Sequence, residues 1–138
     1  MDPVFPRLTH IALHVEDMDA CVAFYQYYCD MEICHARNNG QQRIVWLAES
    51  GREKDFIFVL MDGGRNLALP DDDYRHFGFA VPSREAVDDL AERANARGEL
   101  VWPPREEPFP VGYYCGLQDP NGNYVEFSYG QPLGPGAG

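Results

Sequence analysis

Two stretches of this chain repeat one plan at a fixed offset of 66 residues, and that repetition restricts the possible folds more than any other feature. Residues Leu8–Val15 alternate, with Ile11, Leu13 and Val15 on one face and His10, Ala12 and His14 on the other, the period of a half-buried strand. Residues Tyr74–Val81 alternate in the same way, Phe77, Phe79 and Val81 against His76, Gly78 and Ala80. Each strand leads into an amphipathic helix. In the first, Cys21, Phe24, Tyr25 and Tyr28 form an apolar stripe at i, i+3, i+4, i+7; in the second the stripe is Val87, Leu90, Ala91 and Ala94. Adding 66 to His10, Val15 and the four first-stripe residues lands on His76, Val81 and the four second-stripe residues without a gap. Internal duplication is the economical explanation.

The remaining segments fill out each copy. Glu16-Asp17-Met-Asp19 supplies acidic residues and a candidate N-cap for the first helix, and Ser83 caps the second with Glu85 in its first turn. After the first helix, strands are expected near Met31–Arg37, Arg43–Glu49 and Asp55–Met61, divided by turn-like Asn38–Gly40 and Ser50–Lys54. After the second, Gly98 closes the helix and strands are expected near Glu99–Trp102, Gly112–Gln118 and Asn123–Tyr129. The four prolines of Pro103–Pro110 exclude a central strand and predict an irregular loop. Asp119-Pro-Asn-Gly122 has turn chemistry at each position and joins the last two strands as a hairpin. The expected class is α+β: a single domain over residues 1–138, built from two βαβββ modules at about 8–70 and 74–130, with a flexible tail at 131–138.

Composition narrows the partners. A net charge of −11 repels phosphate backbones and anionic lipid, so neither nucleic acid nor a membrane surface is expected as a partner. The start, Met1–Pro6, lacks the basic and apolar parts of a secretory leader, and no apolar run is long enough to span a bilayer. Cys21, Cys29, Cys34 and Cys115 show no paired spacing and are expected to be buried free thiols, which with the missing leader points to the cytoplasm.

Strand parity then selects a constellation. If the Ile/Leu/Val and Phe/Val faces cover the helices, His10 and His76 face away from them. In the last strand Val125 and Phe127 read as core, which turns Tyr124, Glu126 and Ser128 to the same open side. Singly, each is an ordinary strand residue. Together, two symmetry-related imidazoles and a carboxylate are a metal-ligand set suited to Fe(II), and also to Mn, Zn, Ni or Co, with positions left for substrate. Cys115 and Leu117 read as core, which turns Tyr114 and Gly116 to the cavity, and Tyr114 is the candidate acid/base or substrate-orienting group. Tyr124 and Phe58 are expected to line the substrate cavity.

The quoted stretches, together with Phe24-Tyr25 and the run from Asp119 through Glu126, resemble the vicinal oxygen chelate superfamily of glyoxalase I, bleomycin- and fosfomycin-resistance proteins, epimerases and extradiol dioxygenases. The resemblance covers residues 8–129. It implies paired modules forming an open eight-stranded barrel-like sheet around a metal held by His10, His76 and Glu126, with helices outside. It also implies a homodimer that can exchange modules between chains, acting on a small substrate with adjacent oxygens. Glyoxalase I and the epimerases draw a further Glu or Gln ligand from the last strand of the first module, where this chain places apolar Phe58 or its neighbours Phe56 and Leu60. Three ligands match the arrangement of extradiol dioxygenases and of fosfomycin-modifying enzymes, and extradiol-type dioxygenase chemistry is the leading expectation. Alternatives are a glyoxalase-type lyase or isomerase, akin to lactoylglutathione lyase, and a drug-binding protein of the bleomycin-resistance type. Extradiol enzymes carry a histidine and a tyrosine upstream of the Asp-Pro turn; here Gly112–Gln118 has no histidine and puts Gly116 where that tyrosine is expected.

Overall fold

The computed structural model describes residues 6–134 and 137. The chain divides into two compact units, one ending at Asn66 and one starting at Leu67. The first runs β1 (His10–Val15), α1 (Met18–Cys29), β2 (Met31–Asn38), β3 (Arg43–Glu49) and β4 (Ile57–Asp62). The second runs β5 (His76–Ala80), α2 (Arg84–Ala96), β6 (Leu100–Glu107), β7 (Gly112–Gln118) and β8 (Tyr124–Tyr129). Both are βαβββ modules with a four-stranded sheet, ordered β1-β4-β3-β2 and β5-β8-β7-β6. In each, the first and last strands pair in parallel and the rest antiparallel. The parallel pair needs a long crossover, which the helix and the intervening strands supply.

The capping residues behave as their chemistry dictates. Asp17 accepts the Ala20 amide at 3.1 Å and Ser83 accepts the Ala86 amide at 3.1 Å. The helix starts, Met18 and Arg84, keep the 66-residue offset. Their apolar stripes are buried as the spacing requires: Cys21, Phe24, Tyr25 and Tyr28 in α1, Val87, Leu90, Ala91 and Ala94 in α2. In the second unit α2 packs on β6, β7 and β8, where Cys115, Leu117, Val125 and Phe127 are buried.

Two expectations are corrected here. Strand β6 does not stop at Trp102 but continues through Pro103 and Pro104 to Glu107. It is an edge strand whose register shifts between Trp102 and Arg105, so the missing proline N–H groups leave no ladder bond broken inside the sheet. The thiols are all free, but only Cys21 and Cys115 are buried; Cys34 is exposed on β2, most of which is open to solvent.

Candidate functional site

The second unit brings two of the sequence-selected residues together. Register pairs His76 with Tyr124 and Gly78 with Glu126, so the His76 and Glu126 side chains emerge on one face of adjacent strands. His76 Nε2 stands 3.9 Å from Glu126 Oε1. The other ring nitrogen, Nδ1, lies 2.7 Å from the Tyr74 carbonyl. A carbonyl only accepts, so Nδ1 carries a proton, and Nε2 is the ring nitrogen on the side of the carboxylate.

Glu126 is 8% exposed. Among the described residues, Gln131 Nε2 donates a long hydrogen bond to Glu126 Oε2 at 3.4 Å. Gly78 leaves the space above it open, since a Cβ there would come to 3.5 Å from Oε2. A buried carboxylate thus stands beside an imidazole nitrogen on one face of the sheet. The donors present, one imidazole nitrogen and one carboxylate, are of the type a divalent cation takes.

The turn before β8 fixes where Glu126 sits. Asp119 is 4% exposed, and its Oδ1 accepts the amides of Asn121 and Asn123, both at 2.9 Å. Its Oδ2 accepts Asn123 Nδ2 at 3.1 Å, and Gly122 adopts φ +92. The hairpin then pairs Gly116 with Glu126 and Tyr114 with Ser128.

Tyr114 and Tyr124 lie on this same face. Two clefts, of about 370 and 610 Å³, are both bordered by His76, Tyr114 and Glu126. Tyr124 is buried and its ring lies 5.2 Å from that of Trp102. Trp102 itself escaped sequence reasoning. Its indole stands edge-on to His76 at 5.7 Å and occupies the room left by Gly116, where a Cβ would meet the ring at 2.1 Å. A glycine in the middle of β7, opposite a tryptophan on the neighbouring strand, was the available signal.

In the first unit, His10 borders a cleft of about 380 Å³ with Ala12, Trp46, Phe56 and Val59. Its Nδ1 lies 3.0 Å from Thr9 Oγ1. His14, on the same face, is engaged by the Asp62 carbonyl at 3.0 Å from Nε2.

Phe58 must be removed from the cavity. It pairs with Ile11, so it points to the helix side, where it is 6% exposed and packs edge-on against Tyr25 at 5.5 Å. The repeat explains the error. His10 pairs with Ile57 as His76 pairs with Tyr124, so the position matching Glu126 is Val59, one residue on. Val59 is apolar too, so the first unit contributes no counterpart of the carboxylate. Among the described residues, no group of three or more His, Cys, Asp or Glu side chains converges as an ion site.

Among the described residues no helix is long and apolar enough to cross a membrane. A protein of Pseudomonas aeruginosa, the uncharacterized protein PA2024, is 65% identical over 132 residues, which cover 96% of this chain and 94% of that protein. Among solved structures, a glyoxylase/bleomycin resistance protein/dioxygenase domain from Frankia sp. EAN1pec superposes with a TM-score of 0.72 at 21% identity, covering 93% of this chain and 100% of that one. A mutant of the fosfomycin resistance protein FosX from Listeria monocytogenes, complexed with Mn(II) and 1S,2S-dihydroxypropylphosphonic acid, has a TM-score of 0.70 at 25% identity, covering 91% of this chain and 93% of that one. The family model that matches residues 7–127 spans both βαβββ units, from the strand of His10 through the carboxylate of Glu126, and by that match the chain belongs to the glyoxalase/bleomycin resistance protein/dioxygenase superfamily.

Proposed function

We propose that this protein is a divalent-metal-dependent enzyme that chelates two adjacent oxygens of a small substrate, with His10, His76 and Glu126 as protein ligands. The observation carrying this reading is the His76–Glu126 pair, in which Nδ1 donates to the Tyr74 carbonyl and Nε2 stands 3.9 Å from Oε1. When bound, the ion would supply Lewis acidity to the paired oxygens and, as Fe(II), redox chemistry with O₂. The residues themselves would bind, orient and exclude water. Tyr114, which borders both clefts, would hold or pass a proton at its phenol oxygen. Trp102 and Tyr124 give the substrate an apolar wall.

Extradiol-type dioxygenase chemistry is the leading reaction, because Val59 in place of a fourth ligand keeps the protein donors at three. A second reading, non-redox chemistry of the lyase or isomerase type with Mn(II) or a related ion, draws support from the FosX relative. That relative's partners are Mn(II) and a molecule with two adjacent hydroxyls. A homodimer, with modules exchanged or not, is proposed as the working assembly.

The test is metal content and O₂ uptake. Protein loaded with Fe(II) or Mn(II) and desalted should retain about one ion per ligand set, and His76→Ala, Glu126→Gln and His10→Ala should each lose most of it. Retention unchanged by His76→Ala sinks the chelate reading. O₂ consumption across a catechol panel with Fe(II) supports the dioxygenase; metal retention without it moves the assignment to the lyase. A protein that binds small molecules but retains no ion is the drug-binding type.

A further inference from the structure

The first unit holds a second set of side chains that the metal chemistry does not use. The cleft beside His10 has an apolar floor of Ala12, Trp46, Phe56 and Val59, and two cations on its border, Arg37 and Lys54. In a chain of net charge −11 such cations are scarce. Among the described residues at least seven arginines are held in ion pairs, with Asp19, Glu49 and Asp55, Asp73, Glu106, Asp89, Glu99 and Glu107. Arg37 and Lys54 are in none among the described residues. Arg37 is instead steadied by His35, whose Nε2 lies 2.9 Å from its Nη1, and His35 in turn stands edge-on to Trp46 at 5.0 Å.

The loop carrying Lys54 has its own acidic groups occupied. Arg52 pairs with Glu49 at 3.1 Å and with Asp55 at 3.4 Å. The Glu53 carboxylate accepts the Gly51 amide at 3.0 Å, and such backbone hydrogen bonds hold it below the usual carboxylate range. Glu53 also borders the cleft, so the lining side chains carry two cations against one anion. A volume of about 380 Å³ suits a ligand of one or two rings.

We propose that this cleft is a subsite for an aromatic monocarboxylate, its ring on Trp46 and Phe56 and its anionic end between Arg37 and Lys54. Local cations recognise a carboxylate despite the unfavourable overall charge, because the net field is screened within about 10 Å whereas the direct contacts are not. The inference names the substrate class for the enzyme reading above and rests on that reading for calling the ligand a substrate; the binding itself needs no metal.

The experiment uses full-length, chelator-treated protein carrying Trp102→Phe, so that Trp46 is the single indole. Quenching of its fluorescence is titrated with 2-naphthoate, with 2-naphthalenemethanol as the uncharged analogue and with inorganic phosphate as an anion without a ring. Saturable naphthoate binding at least about tenfold tighter than the alcohol, with phosphate ineffective, is expected. Arg37→Met and Lys54→Met should each remove most of that preference, and Glu53→Gln should strengthen it. Equal affinities for naphthoate and the alcohol, or a preference untouched by both cation substitutions, overturns the proposal. Metal retention, measured separately on the same preparations, decides the chelate reading, so the two can fail independently.

Discussion

The indole of Trp102 lies over the backbone of Gly116, so close that a Cβ on that glycine would fall 2.1 Å from ring atom Cε3. The same indole touches the rings of His76 and Tyr124, so the absence of one side chain on β7 sets the wall of the candidate site. Gly116→Ala should force the ring outward and cost about 1–3 kcal/mol, as overpacking of a filled space does. Thermal unfolding and the near-ultraviolet circular dichroism of Trp102 would both move. An unchanged aromatic spectrum would contradict this packing.

Asp119 is a buried carboxylate accepting two backbone amides and one side-chain amide, and the strand that presents Glu126 starts from this turn. Asp119→Ala leaves these donors without their acceptor, at about 1–3 kcal/mol for each one that water cannot reach. Urea unfolding should show the loss. Metal retention should fall as well, because the turn sets where the strand of Glu126 begins. Full stability in the variant would mean that the turn holds itself.

Burial pushes the Cys115 thiol up to about 12, with Asp88 and Glu126 adding to the effect. The folded protein therefore keeps this proton at pH values where the unfolded chain, with a thiol near 9, has released it. Stability from this group is complete below about pH 9 and is lost as the pH climbs toward 12. Denaturation midpoints measured across that range should decline, and less steeply in Cys115→Ala. In the native protein at pH 8, a thiol reagent should modify exposed Cys34 readily and Cys21 and Cys115 only after unfolding.

Ser83 caps α2 with its hydroxyl on the Ala86 amide. Ser83→Ala should cost about 1 kcal/mol, and Ser83→Asp should retain most of the stability. Equal melting temperatures for the Ala and Asp variants would argue against the cap.

Much of this was legible because alternation and helical spacing are local properties. The strand faces of β1, β5 and β8, the two helix starts and the caps all follow from patterns only a few residues long. The parity that put His76 and Glu126 on one face matches the observed register, because both strands lie inside a regular parallel ladder. Phe58 failed for a different reason. The offset is 66 residues through the helices but 67 at the last strands, where Ile57 corresponds to Tyr124. A single added residue reverses which face a strand side chain occupies. Trp102 was hidden because its role depends on a glycine 14 positions away in sequence, and no periodicity reports a side chain reaching across a neighbouring strand. Pro103 and Pro104 were compatible with strand geometry only because β6 lies at an edge, a fact of topology rather than of propensity.

The parallel pairing of β5 with β8 has a consequence for how the second unit assembles. His76 and Tyr124 are register partners although 48 residues separate them, and the whole helix and two strands lie in between. Loop-closure entropy makes such a contact a late one, after the local helix and hairpins have formed. The two side chains that face each other at the candidate site therefore meet only when the module is closed. A cation that recognised them as a pair would discriminate finished modules from unfinished ones, and would bias folding toward completion without contacting any of the structure formed earlier.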